Sequence, residues 1–74
     1  MTFTVFRYEL MVKDMAGGGI NPTHSVLEQL KDIDGRITFQ DKESGLLCCY
    51  HLHEGMNFPM KYYVPSSWCE EVEL

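Results

Sequence analysis

The sequence predicts an α+β fold ordered β-α-β-β-β: one short amphipathic helix packed on a mainly antiparallel sheet of four strands, with a fifth short strand as an extension. Three observations carry this. Residues 36–53 alternate in polarity around Lys42-Glu43-Ser44-Gly45, the pattern of a hairpin. Val26, Leu27, Leu30 and Ile33 recur at helical spacing. A helix and a hairpin that each own one apolar face bury it against each other, which gives a two-layer sandwich.

Residues 2–12 are rich in β-branched and aromatic types and read as the first strand. Ala16-Gly17-Gly18-Gly19 breaks regular structure and reads as a flexible connector, because it lacks the Gly-Lys-Ser/Thr ending of a phosphate-binding loop. Asn21-Pro22 offers one helix start and the capping box Ser25-x-x-Glu28 a second. Asp34-Gly35 ends the helix.

In the hairpin, a loop at residues 42–45 sets Phe39 opposite Cys48 and Ile37 opposite Tyr50. Thr38 then faces Cys49, and Arg36 faces His51. A one-residue slip would turn every side chain to the other face. Ile37, Phe39, Leu46, Cys48, Tyr50 and Leu52 are assigned to the dry side, under the helix. Thr38, Gln40, Leu47, Cys49, His51 and His53 are assigned to the wet side. Residues 54–59 are a loop. Met60, Tyr62 and Val64 place the next strand's apolar side, with Lys61 and Tyr63 opposite. Trp68 to Leu74 reads as an edge segment.

The 74 residues make one small domain, 1–74. A chain this short buries only about 60% of its unfolded surface, so a partner or self-association is a natural expectation. Nine aromatic residues and 45% apolar content argue against disorder. The net charge is −5, and residues 43–74 carry Lys61 against five glutamates. That balance argues against phosphate-backbone binding and against anionic membranes. Three cysteines, two of them adjacent, read as reduced thiols in a cytoplasm. The first residues lack a signal peptide's basic and apolar regions, and no apolar run is long enough to span a bilayer.

Cys49, His51 and His53 share one strand face, and His-x-His beside a thiol is a zinc-ligand pattern, with Cys69 or His24 as a further donor. No paired Cys or His spacing supports zinc, so no cofactor is the first expectation and zinc the alternative. Cysteine catalysis is disfavoured because residues two apart on a strand point in parallel about 7 Å apart. Glu70, Glu71 and Glu73 suggest an acidic nucleic-acid mimic as a further alternative. The leading expectation is a non-enzymatic interaction module that meets another protein, or a second copy of itself. Its docking face would comprise Leu47, Cys49, His51, His53, Lys61 and Tyr63, with Met56 and Phe58 of the loop as extra anchors. By analogy alone, such a chain fits a small adaptor or inhibitor of the kind that phages and mobile elements encode.

Overall fold

A computed structural model describes residues 1–73. The chain is α+β, with two helices and two antiparallel sheets of two and three strands. Strand β1 (Thr2–Phe6) pairs with β5 (Cys69–Glu73), and β2 (Phe39–Gln40), β3 (Leu47–His51) and β4 (Met60–Val64) form the second sheet. Helices α1 (Tyr8–Gly17) and α2 (His24–Lys31) lie between β1 and β2 in sequence, and a 3₁₀ turn at Ser66–Trp68 precedes β5.

The first strand stops at Phe6, and residues 8–17 turn helical, correcting the extended reading of 2–12. Tyr8, Met11 and Met15 explain it: three and four residues apart, they share a helix face. Met11 is fully buried, and Tyr8 and Met15 pack against the core. The tertiary gain outweighs the β propensity of Tyr8 and Val12. Arg7 gives the helix no side-chain cap; instead the Tyr8 N–H donates to Asp34 Oδ1 at 2.7 Å. The glycine run is a helix terminus and not a connector. Ile20 N–H bonds to Met15 O and Gly19 N–H to Ala16 O, with Gly19 at φ +72°, the two bonds of a Schellman cap.

Helix α2 begins later than Asn21-Pro22, and neither Thr23 nor the expected capping box supplies a side-chain cap. Leu27 and Leu30 pack on the core and Ile33, just past the helix, is fully buried. Val26, assigned to the same stripe, is 42% exposed.

Residues 36–38 join the two sheets. Phe6 N–H donates to Arg36 O, Gly35 N–H to Phe6 O, and Thr38 N–H to Thr4 O, and Val5 bridges Ile37. The Thr38 hydroxyl adds a second bond to Thr4 O at 2.9 Å. One residue later the chain pairs with β3, placing Phe39 opposite Cys48 in the expected register. Ile37 pairs with Val5 and not with Tyr50.

The two faces are interchanged relative to the sequence reading. The core is Phe6, Met11, Ile33, Cys49 and Val64, with Leu47, Tyr62 and Trp68 packed around it. Thr38 and Cys49 are buried, whereas Ile37, Tyr50 and Leu52 are about half exposed, at 54%, 45% and 55%. Cys48 is fully buried but stands outside the core cluster, between its cross-strand neighbours Phe39 and Tyr63. The helices therefore cover the Thr38/Cys49/Tyr62 side.

One substitution made at two positions reads this out. Ile33→Val should cost about 0.5–1.5 kcal/mol in urea unfolding, the range for a buried methylene, whereas Ile37→Val should cost almost nothing.

Candidate functional site

Two regions carry unusual chemistry, one polar at an end of β3 and one apolar on the side facing away from the helices.

The polar region starts from His51, the last residue of β3, and His53 just beyond it. Their rings meet edge to face with centroids 4.6 Å apart. Asp32, the residue that closes α2, lies 3.6 Å from His53 Nδ1 through a carboxylate oxygen. His53 Nε2 shares a hydrogen bond with the Tyr62 hydroxyl, and the Arg36 guanidinium donates to His51 Nδ1. Partial burial, with Arg36 and His53 nearby, lowers the pKa of His51 and favours the neutral ring. Burial raises the Tyr62 phenol.

Among the described residues, the donor atoms that converge belong to Asp32, His51 and His53, all within 4.8 Å of one another. Cys49, expected as the sulfur ligand, is absent from this group. It is 2% exposed and opposite Tyr62, so its side chain fills the core. Burial pushes the Cys49 and Cys69 thiols up, away from the thiolate that a nucleophile or a zinc ligand needs. Cys69 donates to Pro65 O, and exposed His24 sits beside Glu28 on α2. Sequence reasoning missed Asp32, because it had only the adjacent helix face to place it on.

The apolar region follows from the interchange of faces. Phe39 and Tyr50 stack at 5.7 Å with their planes 22° apart. Lys61 Nζ lies 5.8 Å from the Tyr50 ring and 5.0 Å from the Tyr63 ring, a doubled cation–π contact. Its charge is met by Asp41 Oδ1 at 2.9 Å. Asp41 also accepts from the Ser44 backbone N–H and hydroxyl, fixing the turn before Gly45, whose φ of +74° is the expected left-handed position. Lys61 and these Ser44 bonds hold the Asp41 carboxyl down at about 2. Leu52, Phe58 and Tyr63 stay exposed nearby in the sequence, at 55%, 64% and 49%.

Of the docking residues expected from sequence, Lys61 and Tyr63 lie on this outer side. Leu47 and Cys49 face the core, a consequence of the β1 pairing described above. His51 and His53 belong to the polar cluster, and Met56 and Phe58 are exposed in the loop before β4. Glu70, Glu71 and Glu73 are all exposed on β5, and Glu70 is paired with Arg7.

No protein-family model, curated protein or solved structure matches this chain. Among the described residues no helix is long and apolar enough to cross a membrane.

Two measurements follow from these environments. In native protein, Ellman's reagent should label Cys69 first and reach Cys48 and Cys49 only on unfolding; early labelling of Cys49 would contradict its placement. The Asp41 carboxyl is lowered from 3.8 to about 2, so its stabilising contribution is complete above about pH 4 and is lost as pH falls through about 2. Asp41→Asn should therefore flatten the fall in urea midpoint between roughly pH 4 and 2 relative to wild type.

Proposed function

We propose that this chain is a non-enzymatic protein-interaction module that works through the outer side of its three-stranded sheet, and that the occupant of that side is a second copy of the chain. The proposal takes the fold as a two-layer sandwich, with helices over one side of the sheet and the opposite side left for a partner to cover. The observation that carries it is the concentration of exposed large apolar side chains there: Ile37, Phe39, Tyr50, Leu52 and Tyr63.

Water contact with so much apolar surface has a free-energy cost of about 25 cal/mol for each Å² left uncovered. The stacked Phe39 and Tyr50 rings are rigid, so little side-chain entropy is lost when they are buried. Charge selects the occupant. Lys61 is neutralised by Asp41, so two such sides can meet without bringing like charges into contact. The net charge of −5 resides largely elsewhere, and a two-fold pairing of identical surfaces is the commonest oligomer geometry. The raised Cys49 and Cys69 thiols, away from nucleophilic form, support the non-enzymatic part of the reading.

Sedimentation equilibrium tests this. Wild type should dimerise, and added salt should tighten the dimer by screening repulsion between the two acidic chains. Tyr50→Glu should keep the circular dichroism of the fold while sedimenting as monomer. A wild type that stays monomeric at roughly millimolar concentration, the weak end of specific association, defeats the proposal. So does a Tyr50→Glu dimer of unchanged strength.

A further inference from the structure

The geometry points to a divalent transition-metal site made by Asp32, His51 and His53, with the Arg36 guanidinium standing in for the metal's charge beside His51. These side chains are separate from the apolar side proposed for self-association, so the two readings stand or fall independently.

The three donors come from two parts of the fold. Asp32 closes α2, while His51 and His53 come from the end of β3 and the residues after it. Metal–nitrogen and metal–oxygen bonds of about 2.0–2.2 Å place tetrahedral ligand atoms roughly 3.3–3.6 Å apart. The Asp32–His53 separation is already 3.6 Å, and the whole set spans no more than 4.8 Å. Closing the rest requires only small movements of the half-exposed Asp32 carboxylate and the His51 ring. Two imidazoles and one carboxylate form the donor set of zinc sites that keep a fourth position open, and also suit cobalt and nickel.

The surroundings supply two further features. When His53 binds through Nδ1, its Nε2 carries the proton and donates to the Tyr62 oxygen, which fixes ring orientation. Tyr62 is thus a positioning residue and not a ligand. Arg36 bonds His51 Nδ1, so its positive charge stands beside the site and opposes a bound cation. Arg36 therefore weakens the site. The metal, once held, ties the end of α2 to the end of β3.

The test is titration of untagged, chelator-treated full-length protein with Zn²⁺ by calorimetry, and with Co²⁺ by its visible absorption. One equivalent should bind and raise Tm. Asp32→Asn and His53→Gln should each weaken binding about 100-fold, and Tyr62→Phe by about tenfold, the scale of outer-shell losses. Arg36→Gln should tighten binding about tenfold, a gain that a merely structural arginine would not give. His24→Ala, which removes the exposed His24–Glu28 pair, should leave binding unchanged. Asp32 is exposed, so its variant reports on the metal even where His53→Gln loosens the fold. Absence of saturable binding overturns the assignment. So does affinity indifferent to Asp32→Asn and Arg36→Gln, or affinity abolished by His24→Ala.

Discussion

The ladder between β1 and residues 35–38 governs the structure. Three backbone hydrogen bonds, at 2.7 to 2.9 Å, tie Phe6 and Thr4 to Gly35, Arg36 and Thr38. Backbone pairing sets the parity of side chains along a strand. Once Thr38 is turned toward the helices and bonded to Thr4 O, Phe39 must point away from them. Its neighbour across β3 is Cys48, so Cys49 joins Phe6, Ile33 and Val64 in the core and Tyr50 is turned outward. The half-exposed aromatic side of the sheet is the direct consequence of a contact with a strand far away in sequence.

The same ladder organises the polar groups. Gly35 takes φ +81° where its N–H meets Phe6 O, and the adjacent Asp34 carboxylate then reaches the first N–H of α1. A carboxylate at a helix N-terminus satisfies an orphan donor and complements the helix dipole. Trp68 closes the other flank: its indole donates to Asp14 on α1 while its ring meets Phe6 edge to face. Arg36, held in the ladder by its carbonyl, projects its guanidinium to His51. No buried side-chain polar atom among the described residues lacks a partner. The small core is thus enclosed by satisfied polar contacts, while Phe39, Tyr50 and Tyr63 stay exposed on the side away from the helices.

Much of the local structure was legible in the sequence. The Phe39–Cys48 register, the left-handed Gly45, the core role of Leu27, Leu30 and Ile33, and the strand at 60–64 all follow from short-range patterning. The choice of face does not. Leu46, Cys48, Tyr50 and Leu52 are more apolar than Leu47, Cys49, His51 and His53, so transfer free energy alone selects the wrong side. The alternation gives which residues travel together, and the non-local pairing of Val5 with Ile37 decides where they go. Helix α1 was hidden by the same kind of competition, since Tyr8 and Val12 favour strands while Tyr8, Met11 and Met15 keep helical spacing. In the polar cluster, His51 and His53 were readable from their spacing. Asp32 was not, because nothing local ties the end of α2 to the end of β3.

The orientation of β3 is best settled by nuclear Overhauser contacts of the Ile33 methyl groups, which self-association through the opposite side would leave unchanged. Cross-peaks should tie Ile33 to the group containing the Phe6 ring, the Cys49 β-protons and the Val64 methyls. Cross-peaks from Ile33 to the Tyr50 ring and Leu52 methyls would instead show the even-numbered side of β3 under the helices and contradict this orientation.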